Sequence, residues 1–296
     1  CIRDSDGGDR HLLPEGRADT MSVQQGTAHR PWVDRVLGVS GWLVFGFLYL
    51  PILILVIYSF SDSRTVGVWG GFTWKWYDRM INNPEMMNAL WNSVKVALIQ
   101  TIFATVLGTA AGIALDRYRK WLGKQAFDVI LYLPVIIPEV TMGAMLLIWF
   151  TQVLPINLSI WTITLGHIAF STSFVAIVVR ARLANLDDSL EEAAMDLYAN
   201  RWTTFRRITL PLIMPGVLGG ALLALTLSLD DVIITEFVQG PGANLLPVYV
   251  FGLIRRQVTP EINAVSTLML AISMVLVFIS LGFQARSGIG RSNKEE

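Results

Sequence analysis

Cysteine is nearly absent from this 296-residue chain: Cys1 stands alone, which excludes an internal disulfide framework and any cysteine-based metal site. Histidine is scarce as well. His11, His29 and His167 are too scattered in sequence to suggest a metal cluster, and no metal is expected. Charge is short: Asp, Glu, Lys and Arg together make up 16% of the chain, against about 25% in an ordinary soluble domain. The formal net charge is zero, so the overall balance says nothing about partners, and no nucleic-acid partner is expected. There is no G-x-x-x-x-G-K-[ST] loop to hold a nucleotide and no polar stretch long enough for a soluble domain. The chain is not expected to be an enzyme, and no catalytic residue is assigned.

Apolar residues, by contrast, are abundant: 53% of the chain is hydrophobic and mean hydropathy is +0.52. They fall into six runs, at about 39–60, 93–115, 127–150, 160–179, 216–234 and 264–281, each near the ~20 residues that span a bilayer as a helix. The expected fold is an all-α polytopic membrane protein with six transmembrane helices. Gly108 and Gly112, four apart in the second run, allow close helix contact. Pro51 kinks the first run, and Pro134 and Pro138 interrupt the third. Trp69, Phe72, Trp74, Trp76, Tyr77 and Trp91 suit a membrane–water interface, as does the short piece from Pro31 to Leu37. Residues 236–263 read as a loop with Gly240-Pro241-Gly242 at its turn, and Thr259-Pro260-Glu261 reads as the start of the sixth helix. Residues 1–30 read as a disordered extension with Met21 as the natural start, 31–283 as one transmembrane domain, and 284–296 as a polar tail.

One segment between the fourth and fifth runs is different. Glu191 to Pro215 is charged and patterned as two short helices, within a loop spanning 180–214. Ser189 followed by Glu192 is a capping-box signature, with Asp187 and Asp188 favouring the same helix start. The second helix runs from Trp202 to Ile208, with Arg206 and Arg207 near its end, and Pro211 and Pro215 stop it. The lysines and arginines orient the chain: with the N-terminus inside, inner segments hold 17 of them and outer segments six, Arg64, Lys75, Arg79, Lys95, Arg255 and Arg256. The positive-inside rule then places both termini and the charged loop, including Arg117, Arg119, Lys120 and Lys124 nearby, in the cytoplasm. Arg180 and Arg182 snorkel at that face.

Acids inside membrane runs are costly, about 2.5–3.5 kcal/mol each on insertion scales, and so face protein or water. Glu139 lies about 18 Å from the inner face along the third run, and Asp230 and Asp231 about 22 Å along the fifth. The three form a candidate substrate pathway for a cationic solute. An equally simple reading makes Asp230 and Asp231 the end of the fifth helix and Glu139 the cap of a helix restarted at Pro138. His167, without an evident acidic partner, reads as packed and hydrogen-bonded. Adjacent acids diverge by about 100° on a helix, a poor geometry for Asp230 and Asp231 to share a proton as an aspartyl hydrolase would need.

Glu192-Ala193-Ala194, followed at fixed distance by Ile208 and Leu210-Pro211, resembles the EAA loop of type I ATP-binding cassette (ABC) importer permeases. The resemblance implies that fold, N-in and C-in, and a cytoplasmic ATPase docked on Glu191, Glu192, Ala193, Ala194, Asp196, Leu197, Tyr198, Arg206, Arg207, Ile208, Leu210 and Pro211. Where the family usually has Gly this chain has Tyr198, which tolerates positive φ poorly, so the angle of the elbow is open. Further, Ser228-Leu229-Asp230-Asp231, Phe237 to Gly242, Pro260 to Ala264, Tyr49-Leu50-Pro51 and Pro138-Glu139 resemble the polyamine (putrescine/spermidine) permease branch, over most of the chain. That resemblance implies one of two related permease subunits in a bacterial inner membrane, in contact with membrane lipid. It also implies two copies of an ATPase that bind ATP and Mg, no cofactor in this chain, and a periplasmic polyamine-binding protein. A permease for another importer substrate, or an ion-coupled secondary transporter in which Glu139, Asp230 and Asp231 bind protons or sodium, remains an alternative.

Overall fold

The computed structural model describes residues 31–63, 65, 67–118, 122–184, 186–187, 189–256 and 260–292. The expected N-terminal extension, Arg64, Arg119, Lys120, Asp188 and Thr259 lie outside them. The chain divides into two units, up to Leu50 and from Pro51 onward. In the first, residues 31–50 are helical and their apolar side chains from Val36 on are exposed; they begin α1 (Pro31–Tyr58).

In the second unit follow α2 (Lys75–Ile81), α3 (Pro84–Arg117), α4 (Lys124–Ile136), α5 (Glu139–Ile148) and α6 (Ile160–Leu183). After these come α7 (Ser189–Asp196), α8 (Arg201–Thr204), α9 (Leu210–Asp230), α10 (Ile233–Val238), α11 (Leu246–Arg256) and α12 (Pro260–Ser292). Among the described residues five helices are long and apolar enough to cross a membrane, and α4 with α5 makes six if that bent pair is one span. The all-α expectation holds: among the described residues extended pairing is limited to an isolated bridge, Ser61 to Phe72.

The centre is the packing of α3, α6 and α9 on one another. It depends on missing side chains. A Cβ on Gly108 would lie 2.6 Å from Val175 Cβ and 2.8 Å from the Thr172 carbonyl, and one on Gly112 would lie 3.1 Å from the Ala176 carbonyl. On the other side of Val175, a Cβ on Gly220 would lie 3.1 Å from its Cγ1. In lipid, helices associate through such close van der Waals contact and through polar groups. Gln100 supplies one of the latter, donating from Nε2 to the Ala224 carbonyl at 2.8 Å.

Four expectations change. The third run is interrupted at Pro138 and not at Pro134 as well: α4 and α5 are bent by 115°. The break falls at Ile137 and Pro138, because the residue before a proline is driven out of the helical region, and both have extended ψ values of 133° and 138°. Pro134 stays inside α4. The elbow's second helix is not ended by Pro211 or Pro215. It runs from Arg201 to Asp230 through a π turn, Phe205–Thr209, in which Leu210 N–H bonds to the Phe205 carbonyl. Pro211 lies just past the π turn and Pro215 farther inside α9, where each removes one helical hydrogen bond without ending the helix. The loop 236–263 contains α10's end and the amphipathic α11, with Leu246 and Val250 buried one turn apart. Finally, α12 continues through Ser292, beyond the expected start of the polar tail.

The aromatics near α2 divide. Trp76 is buried, donating from Nε1 to the Ser61 carbonyl at 2.7 Å, whereas Trp69, Phe72, Trp74 and Trp91 are exposed. The expected snorkelling arginines are bound within the protein: Arg180 pairs with Asp128 at 2.8 Å, and Arg182 Nε donates to the Leu212 carbonyl at 3.3 Å.

Gly108→Val is expected to cost about 1–3 kcal/mol through overpacking against Val175, read as a lowered thermal midpoint in detergent. Gly252→Ala, within α11 at a glycine with nothing within 4 Å of an added Cβ, should instead raise that midpoint slightly, by about 0.5–1 kcal/mol of helix preference.

Candidate functional site: an elbow and an acidic cavity

The elbow is built by α7, a four-residue connection and α8. Ser189 is the first residue of α7 rather than its cap, and its N–H donates to the Asp187 carboxylate at 3.0 Å. Hydrogen bonds from Ser189 hold the Asp187 carboxyl below the usual range. At the far end, Ala199 N–H bonds to the Ala194 carbonyl and Tyr198 N–H to the Met195 carbonyl. That pair of bonds is a Schellman motif, which demands a left-handed residue at the position of Tyr198. Tyr198 supplies it with φ 63°, the one positive-φ non-glycine among the described residues. The elbow therefore keeps the geometry a glycine would give, at a cost of about 1–2 kcal/mol in backbone strain. Its ring is 98% exposed and offers no compensating burial. Asn200 then caps α8, accepting from Thr203 N–H at 2.8 Å.

The expected coupling residues divide into two groups. Glu192, Ala193, Asp196, Leu197, Tyr198, Arg206, Arg207 and Pro211 are exposed, while Ala194 is buried and Ile208 and Leu210 are half-buried. Glu191 faces inward: both its oxygens take the Arg117 guanidinium at the end of α3, and Thr209 donates to it at 2.5 Å. Burial works against its ionisation, but the Arg117 and Thr209 hydrogen bonds and the Arg117 charge outweigh it and hold the carboxyl below the usual glutamate range. Glu191 thus ties α7 to α3 and to the π turn rather than presenting itself for docking. Trp202, not among the expected docking residues, is exposed beside Phe205.

The three membrane acids do meet. Glu139, Asp230 and Asp231 line one cavity of about 720 Å³, with Phe170, Thr226 and Met269 among its walls. Each sits at a helix break: Glu139 opens α5, Asp230 closes α9, and Asp231 is the extended residue after it. The acids thus mark helix ends and share a cavity, though Glu139 is the first residue of α5 and Pro138, not Glu139, holds the cap position. Sequence missed the partners of Asp231. His167 does have an acid beside it, its Nε2 3.1 Å from Asp231 Oδ2 and its Nδ1 2.8 Å from Ser228 Oγ. Thr235 adds its N–H to the same Asp231 oxygen at 2.8 Å and its hydroxyl at 2.7 Å. The fourfold spacing of Asp231 and Thr235 was the available signal; nothing in the sequence placed His167 opposite them.

Residues 104–288 match the family described as binding-protein-dependent transport system inner membrane component. The chain belongs to that family. It is 43% identical over 250 residues to the putrescine transport system permease protein PotI of Escherichia coli (strain K12), covering 83% of this chain and 89% of that protein. It is 40% identical over 239 residues to the spermidine/putrescine transport system permease protein PotC of Haemophilus influenzae, covering 81% and 92%. Among solved structures, a bacterial ABC transporter involved in the import of the acidic polysaccharide alginate superposes with a TM-score of 0.73. That match covers 87% of this chain and 96% of that one at 17% identity, a likeness of fold. This inner membrane component thus has the ABC importer permease fold and is a multi-pass membrane protein.

Two outcomes are expected at the elbow. Tyr198→Gly should relieve its strain, leaving a net gain of up to about 1 kcal/mol after glycine's larger unfolded-state entropy; slower amide exchange in α7 would show it. Glu191 has a depressed folded-state pKa, so its stabilising contribution is present above its unfolded-state pKa and is lost as pH falls through the lower folded value. Exchange in α7 should accelerate below the ordinary glutamate range, and Glu191→Gln should remove that step.

Proposed function

We propose that this chain is a permease subunit of an ATP-driven polyamine importer, lying N-in and C-in in a bacterial inner membrane and forming half of the pathway for putrescine or spermidine. The observation that carries the reading is the cavity in which Glu139, Asp230 and Asp231 converge, in a chain similar to permeases of putrescine and spermidine/putrescine systems. A polyamine carries ammonium groups along an alkyl chain. Carboxylates among Phe170, Leu227 and Met269 match both parts, since a cation leaving water needs opposite charge in a low-dielectric site. The excess of lysine and arginine on the inner segments supports the orientation.

The elbow is the lever in this proposal. A cytoplasmic ATPase, in two copies, holds ATP and Mg and performs the hydrolysis, and its closure pushes on the exposed side of α7 and the turn at Tyr198. Three features support a stiff transmission. The Schellman turn fixes the angle between α7 and α8, Glu191 locks α7 to Arg117, and the unbroken helix from Arg201 to Asp230 runs from elbow to cavity. A push at one end is carried towards Asp230 along one continuous helix that includes the π turn and Pro215, and alternating access follows as a rigid-body change of this bundle against a second, related permease. A periplasmic polyamine-binding protein delivers the solute.

The test is uptake of labelled putrescine and spermidine by proteoliposomes holding both permeases, the ATPase and the binding protein. Asp230→Asn should reduce uptake at least about tenfold, the scale of losing one charge-assisted hydrogen bond, with assembly intact. Glu192→Lys should leave the chain in the membrane and abolish coupling of ATP hydrolysis to uptake. Undiminished uptake by both variants would overturn the proposal.

A further inference from the structure

His167 does not line the cavity, yet it reaches the carboxylate that does. It is 2% exposed on α6, and Asp231 across from it is 9% exposed. The hydrogens follow from the neighbours. Thr235 donates its hydroxyl to Asp231 Oδ2, leaving its oxygen to accept. His167 Nε2 lies 3.0 Å from that oxygen and 3.1 Å from Asp231 Oδ2, two acceptors that only a protonated nitrogen satisfies. Nδ1 lies 2.8 Å from the Ser228 hydroxyl, so both ring nitrogens are held by partners.

The consequence falls on Asp231. Its Oδ2 takes the imidazole, the Thr235 N–H and the Thr235 hydroxyl, whereas Oδ1 has only the Ile234 N–H at 3.3 Å. We propose that His167 is a positioning residue for the cavity: by holding Oδ2 of Asp231 against α10 it leaves Oδ1 as the oxygen that receives an ammonium group of the solute. This rests on the polyamine reading above. Without the imidazole the carboxylate keeps its bonds to Ile234 and Thr235, but Oδ2 loses the contact that ties it, and the helix break at Asp231 and Val232, to α6. Specificity for a cation then depends on a residue one helix behind the wall.

Two conservative variants separate positioning from packing. The side chain of His167→Gln is long enough to bring an N–H to the place of Nε2, whereas His167→Asn reaches the Ser228 side and falls short of Asp231. In the complete importer in proteoliposomes, His167→Asn should raise the half-saturating polyamine concentration about tenfold, the effect of losing a hydrogen bond to a charged group. The maximal rate should change far less, and His167→Gln should restore the affinity to within about threefold. Amide exchange over residues 231–238 should rise in His167→Asn and return in His167→Gln. Equal affinity in the two variants, or unchanged exchange in both, would overturn the proposal. A wild-type assembly that imports no polyamine would instead overturn the function reading and the ammonium half of this one, while the exchange measurement would still decide whether His167 holds Asp231.

Discussion

A polypeptide in hydrocarbon must satisfy its own backbone hydrogen bonds, and every break in a helix frees groups that lipid cannot serve. The two breaks that matter in this protein, at Ile137–Pro138 and at Asp231–Val232, obey that constraint by opening onto a shared cavity. Each also brings an acid with it. Glu139 begins the helix that restarts after Pro138, and Asp231 accepts from Ile234 and Thr235 at the start of α10. Asp231 thus relieves its break and supplies charge to the cavity at once, while Glu139 contributes charge from the first turn of α5.

Around this the rest of the second unit is a frame. Val175 sits between Gly108 and Gly220, so α3, α6 and α9 approach closely enough for Gln100 to reach the Ala224 carbonyl and His167 to reach Ser228. Polar contacts of this kind in lipid contribute about 0.6–2 kcal/mol each. Their larger effect is on register, because a slip of one residue would part His167 from Asp231. The Phe237 ring, which a Cβ on Gly143 would approach to 2.6 Å, similarly presses α10 against α5. The cavity wall is thus held from behind on two sides.

At the opposite end the elbow combines a strained turn with strong ties. Tyr198 takes up a left-handed conformation because the hydrogen bonds of the Schellman motif and the Glu191–Arg117 pair over-determine the turn. Strain that persists in an exposed residue needs such support from its neighbours. Leu197, Tyr198 and Trp202 are left exposed, an apolar tip on an otherwise charged segment, as expected of a surface that meets a partner.

Much of this was legible in order along the chain. Runs of apolar residues announced the spans, the Gly108–Gly112 spacing the tight helix pair, and the Glu192-Ala193-Ala194 segment the elbow, because each is a local pattern with a local physical cause. The bend between α4 and α5 was half legible: Pro138 marked where a break would come but carried no angle. α11 was obscured by the turn residues before it, although its apolar positions recur at helical spacing. What only the tertiary structure decided were the pairings between helices. Glu191 turned inward because Arg117, 74 residues earlier, lies within reach, and His167 gained an acid because α6 and α9 pack in one particular register. A linear sequence specifies which groups need partners; which partner each finds depends on helices brought together in space.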